Sequence, residues 1–282
     1  MRALVLLAVV LLAAPLAEAQ LAEGGARALA LGRAAAALGG EAWGEFNPAT
    51  WAALDAGTAD LFASQAFGLS DLRLAALAAA YPTAYATVAG TARTYGGDAY
   101  RETRVGLGAA RAVALSPTRR LALGVHAQLF SVSIDGFGST STVALSAGTQ
   151  VEVLPGLTAG LHARNVSRIG RSEEDDLTSP LSTAPALAVG LAYRAGDRAL
   201  VLLDAYKDLD FPLALRTGVE VWAVDVLALR IGAQTGLDGS GEIPARLSAG
   251  VGVRTGPLRA DLAVERHEAL GLTPAVSIGA TF

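Results

Sequence analysis

From residue 57 onward the chain alternates. Leu121, Leu123, Val125, Ala127 and Leu129 interleave with Ala122, Gly124, His126, Gln128 and Phe130, so one face is aliphatic and the other small or polar. Leu187, Val189, Leu191 and Tyr193 stand in the same way against Ala188, Gly190, Ala192 and Arg194, and the pattern returns over 247–254 and 258–265. Period two with one apolar face predicts strands. Turn residues interrupt the pattern at thirteen places, from Gly68–Asp71 to Leu270–Pro274, which predicts fourteen strands. Each strand with its connection averages about 16 residues, a spacing that suits membrane-crossing strands of about 9 to 11 residues better than a sandwich. The connections differ by parity: Pro155-Gly156, Gly196-Asp197, Val224-Asp225 and Gly256-Pro257 are tight, whereas Asp135–Gly138, Gly170–Pro185, Lys207–Pro212 and Asp238–Gly241 tend to be longer. Short turns at one end and longer loops at the other describe an outer-membrane barrel. Leu72 to Ala80, mostly Leu and Ala, stays open between strand and helix.

The first 56 residues read differently. Met1-Arg2, the apolar run Ala3 to Ala14, Pro15 and the small-x-small site Ala17-Glu18-Ala19 predict a signal peptide over residues 1–19, cleaved before Gln20. Residues 20–56 carry no alternation. Ala26 to Leu38 predicts a short helix stopped by Gly39-Gly40, followed by Trp43, Phe46, Asn47, Pro48 and Trp51. Residues 57–282 form the third unit, the barrel.

Composition narrows the reading. The 282-residue chain is 52% hydrophobic and only 17% charged, where soluble domains carry about 25%. Lipid explains the deficit. A net charge of -4 argues against nucleic acid as a partner, and the lack of cysteine removes disulfides, thiolate metal sites and a thiol nucleophile. The polar residues Arg104, Arg111, Gln128, His162, Arg164, Arg194, Arg216, Arg230 and Arg254, with Glu220, Asp261 and Glu265, are expected to face the lumen. An arginine on the lipid face near the midplane costs about 2 to 4 kcal/mol. Tyr81, Tyr193, Tyr206, Phe211 and the terminal Phe282 are expected in interfacial girdles, and Trp222 falls in the inward phase unless a bulge shifts it. No catalytic residue, cofactor site or metal site is predicted. His126 and His162 lie two strands apart, too far to share a metal, and Ser146 and Ser248 lack the nucleophile-elbow glycine. The run Glu173–Asp176 predicts an acidic lip on the longest loop.

Gly25-Ala26-Arg27-Ala28-Leu29-Ala30-Leu31-Gly32 followed by Asn47-Pro48-Ala49 resembles the N-terminal motif of FadL-like barrels, particularly the PorV/PorQ branch. The resemblance continues through Arg104–Arg111, Leu121–Gln128 and Leu157–Asn165. It implies an all-β fold, a transmembrane antiparallel barrel of about fourteen strands whose N-terminal helical and loop segment folds into the lumen as a hatch. Trp43, Phe46, Asn47, Pro48 and Trp51 are the hatch residues under this reading. It further implies a non-catalytic outer-membrane protein of type IX secretion and surface attachment, with lipid, secretion-system proteins or secreted substrates as partners. The alternative is a FadL-like passive transporter of hydrophobic small molecules, gated by the hatch.

Overall fold

The computed structural model describes residues 24–116, 119–168, 185–209, 211–237 and 243–282. The signal-peptide segment, the acidic run Glu173–Asp176 and the turn at 238–241 lie outside the described residues. Fourteen strands follow in order: β1 (Thr58–Gln65), β2 (Arg73–Pro82), β3 (Thr87–Gly96), β4 (Tyr100–Ser116), β5 (Arg119–Ile134), β6 (Gly138–Leu154), β7 (Leu157–Arg164), β8 (Ala186–Ala195), β9 (Ala199–Asp208), β10 (Leu213–Val224), β11 (Leu227–Gly236), β12 (Arg246–Thr255), β13 (Leu258–His267) and β14 (Gly271–Thr281). Each pairs antiparallel with its sequence neighbours. β1 closes the ring on β14, with Thr58 opposite Thr281 and Ser64 opposite Ala275. Closure satisfies the backbone of every strand without leaving an edge, which is what lipid demands of a sheet.

The connections after even-numbered strands are all short, from residues 155–156 to 83–86, whereas those after odd-numbered strands include the long ones, 66–72, 165–185 and 237–245, but also the short 97–99, 268–270 and 135–137, the last of which was expected to be long. The described wall therefore has a short-turn end, which also carries Phe282, and a long-loop end. Along each strand, buried and exposed positions alternate, with aliphatic side chains outside and small or polar ones inside.

Several elements depart from the expectations. The stretch Leu72 to Ala80 is strand from its second residue: Leu72 closes a one-turn 3-10 helix and β2 spans Arg73–Pro82. Both of its faces are apolar, because its inner residues Leu74, Ala76, Ala78 and Ala80 pack on apolar residues of the N-terminal segment, and that erased the alternation. The turn expected over Leu270–Pro274 lies earlier, since β14 begins at Gly271. Pro274 sits opposite Val264 of β13, one residue beyond the last partner of β1. A proline without an amide N–H is tolerated there because no second neighbour needs the donor. The predicted helix over Ala26–Leu38 is cut to α1 (Ala26–Ala30), since Gly32 and Arg33 adopt positive φ (64° and 62°). Gly32 lies against the backbone of Thr217 and Ala233, and Arg33 turns to meet Glu265. The wall, not helix propensity, sets where the helix stops.

Candidate functional site: the occupied lumen

Residues 24–56 cross the inside of the ring. α1 packs on β11 to β14, and a 3-10 helix over Pro48–Ala53 packs on β3 to β6 at the opposite side. Trp43, Phe46, Asn47, Pro48 and Trp51 are all buried. Trp43 meets Phe62 of β1 edge-on, with ring centroids 6.2 Å apart. Trp51 donates its indole N–H to the Ala42 carbonyl (2.7 Å) and lies edge-on to His126 at 5.3 Å. Asn47 accepts from the Ala49 amide through Oδ1 (3.0 Å), capping the 3-10 helix that Pro48 opens. Its Nδ2 donates to the carbonyls of Ala36 (2.6 Å), Thr149 (3.0 Å) and Leu161 (3.3 Å), so one side chain ties two parts of the segment to β6 and β7.

The backbone of the segment approaches the wall through glycines. A Cβ on Gly124 would come within 3 Å of the Pro48 backbone; on Gly148, of Asn47; on Gly160, of Ala36; and on Gly232, of Gly32. Gly108, Gly190, Gly218 and Gly250 are equally close to the segment. These glycines come from eight strands, and several face one another across the ladder: Gly124 and Gly148, Gly160 and Gly190, Gly218 and Gly232. Their lack of a side chain is what leaves room for a second backbone inside the barrel.

Between the glycines stand polar residues that serve the segment. Irregular backbone in a dry lumen needs hydrogen-bond partners. Ser277 accepts from the Ala26 amide (2.8 Å), Ser248 from the Gly32 amide (3.0 Å), and Asp204 from the Ala36 amide (2.8 Å). Asp60 accepts from the Ala42 amide (2.9 Å) and pairs with Arg259, which donates to the Gly40 carbonyl (2.8 Å). Gln150 donates to the Ala36 carbonyl (3.1 Å).

Ion pairs complete the seat. Arg27 lies 2.7 Å from Glu220, which also takes Arg230 at 2.6 Å, and Arg230 reaches Asp261 at 2.6 Å. Arg33 grips Glu265 through two contacts of 3.0 Å, with Arg246 3.7 Å from the same carboxylate. Glu45 pairs with Arg93 (3.5 Å) and accepts from Gln128 (3.2 Å). Burial would raise the Glu45 carboxyl, but Arg93 and the other charges around it hold it below its ordinary value. Glu41 is the opposite case. Burial pushes its carboxyl from 4.5 up to about 7, against the pull of Arg27 and Arg259.

The remaining lumen candidates take varied places. Arg104 stacks on Phe130 at 4.2 Å and lies 3.7 Å from Glu102. His162, Arg164 and Arg216 border a cavity of about 10 Å³ together with Arg33, Asp204 and Tyr206. Arg194 and Arg254 hold the inward phase but are exposed at the short-turn end. There Arg254 stacks on Trp222 at 4.5 Å, which keeps that ring inward. Tyr206 is not a girdle residue: it is buried in the lumen with the Arg216 guanidinium 3.6 Å above its ring. Phe211 is half-buried against the cluster around Tyr206 rather than standing in a girdle. Tyr81, Tyr193 and Phe282 are exposed at the short-turn end. Arg111 faces outward, opposite Leu123. It is seven residues from Arg104, and the register between β4 and β5 runs unbroken over that stretch, so an odd separation must place the two on opposite faces.

No protein-family model matches the chain, and no curated protein matches it in sequence. Solved structures do match in fold. The monoaromatic hydrocarbon channel CymD superposes with a TM-score of 0.64 at 11% identity, over 92% of this chain and 97% of that one. The toluene transporter TodX of Pseudomonas putida gives 0.57 at 12% identity, over 93% and 97%. A FadL homologue of Pseudomonas aeruginosa gives 0.56 at 13% identity, over 92% and 97%. At these identities the likeness is one of fold: the closed antiparallel barrel is shared with these membrane channels and transporters.

Proposed function

We propose that the protein is a passive outer-membrane conduit for small hydrophobic molecules, held closed by residues 24–56. One observation carries the reading: a separate chain segment fills the lumen and is seated by glycines, single hydrogen bonds and ion pairs rather than by the sheet ladder, so it can leave without unzipping the barrel. Among the described residues, two cavities bordered by the segment measure about 10 Å³ each, room for about one water. Passage of a solute therefore requires the segment to shift. The fold neighbours that carry hydrocarbons support this reading over a type IX secretion component resembling PorV or PorQ. Outer-membrane lipid is the surrounding partner, and the wall's aliphatic exterior fits it.

Deletion of Gln20 to Thr50 is expected to raise single-channel conductance in planar bilayers while the barrel still assembles, and to speed entry of a monoaromatic probe into loaded vesicles. Unchanged conductance in an assembled barrel would place the segment outside the permeation path. Loss of assembly would show a strut needed for folding.

A further inference from the structure

On the outside of the barrel, Ala109, Val125, Ala147 and Ala163 form one cross-strand row through β4 to β7, and Arg111, Leu123, Thr149 and Leu161 form the next row toward the short-turn end. Three of the four residues in the first row are alanines. Gly108, Gly124 and Gly148 lie immediately behind them on the inner face, so the wall is thin here. The result is an outward apolar groove of about 530 Å³. Its walls are aliphatic and one charged side chain, Arg111, lines it.

Arg111 is out of place by its own chemistry. Among the described strands it is the one charged residue on the outer face with apolar outer residues two positions away on both sides, Ala109 and Val113. No hydrogen-bond or ion-pair partner for it exists among the described residues. Arg73, Arg101, Lys207 and Arg266, four further cations in the outer phase of the described strands, sit at the long-loop ends of their strands, where water reaches them. A guanidinium lying one step inside an apolar belt is best answered from the membrane side by an anion with two oxygens that can accept a pair of charge-assisted hydrogen bonds, as a phosphodiester does. Arg119, at the start of β5 on the same hairpin, adds a second cation at that end.

We infer that this groove is a binding site for a single glycerophospholipid of the leaflet at the short-turn end, with an acyl chain along the alanine row and the phosphate on Arg111. Charge complementarity selects the occupant: a neutral lipid or a detergent tail fills the groove but leaves the guanidinium unanswered. The site stands independently of whether the lumen conducts.

Native mass spectrometry of the full chain, exchanged from detergent against vesicles of phosphatidylethanolamine with phosphatidylglycerol, tests it. The wild-type protein is expected to keep one phospholipid, and Arg111→Gln to need about tenfold more lipid for the same occupancy, the loss of one charge-assisted contact. Ala147→Leu with Ala163→Leu fills the groove with apolar volume on an apolar face, so the barrel should assemble and the lipid be lost. Equal retention by all three proteins would overturn the proposal. So would diacylglycerol held as tightly as phospholipid, or a dimer that Ala147→Leu dissociates, which would make a second copy the occupant.

Discussion

Single residues in this barrel have meaning only through what lies on the other side of the lumen. Gly232 is a strand residue by pattern, yet its missing Cβ is the space that Gly32 occupies. Gly232→Val should overpack this contact by about 1 to 3 kcal/mol, and limited proteolysis should then cleave within residues 24–56 while the barrel strands stay uncut; an uncut segment would mean the contact is not needed for seating. Glu41 supplies a pH dependence. Its carboxyl titrates near 7 when folded and 4.5 when free, so between those values the folded state binds more protons than the unfolded one. The contribution of this carboxyl to stability falls as pH rises across that window. The melting temperature should decline from about pH 4.5 to 7 more steeply in the native protein than in Glu41→Gln, and parallel curves would assign the pH effect to other groups.

At the scale of elements, the strands were legible wherever the lumen side is polar, because there the two faces contrast. They became ambiguous where the lumen side is apolar, as in β2, whose inner Leu74, Ala76 and Ala78 meet the N-terminal segment. β8 allows a direct test of the two faces. Val189 is outward and Ala188 is inward, lining the small cavity with Arg33, Arg164 and Arg216. Val189→Arg puts a charge in lipid at a cost of about 2 to 4 kcal/mol near the midplane and should deplete folded protein from outer-membrane fractions. Ala188→Arg should assemble but displace the segment, since it adds a cation beside three others. Equal recovery of the two variants would refute the assignment of faces.

The whole molecule is a closed wall with a separately anchored core. Arg27 and Arg33 fasten that core, but each carboxylate they reach has a second arginine in the wall, Arg230 for Glu220 and Arg246 for Glu265. Removing the two segment arginines therefore does not strand a buried acid, which is the usual reason that breaking a buried pair is severe. Arg27→Met with Arg33→Met is expected to leave the barrel folded and to produce frequent open events in planar bilayers. A fully closed double variant would show that the glycine contacts, hydrogen bonds and Glu45–Arg93 pair hold the segment without these two arginines.

What the chain by itself determined is the repeating unit: two-faced strands, their number, the parity of their connections and an aliphatic exterior. Each of these depends on residues two to about sixteen apart, within reach of local pattern. The tertiary structure decided what depends on meeting across the ring. Helix α1 ends after Ala30 because Gly32 and Arg33 bend to contacts on β10, β11 and β13. Tyr206 turns inward to Arg216, and Pro274 enters β14 where β1 has run out. Inner-phase glycines were visible in the sequence, strand after strand, but their purpose was not, because only the folded ring brings residues 24–56 against them.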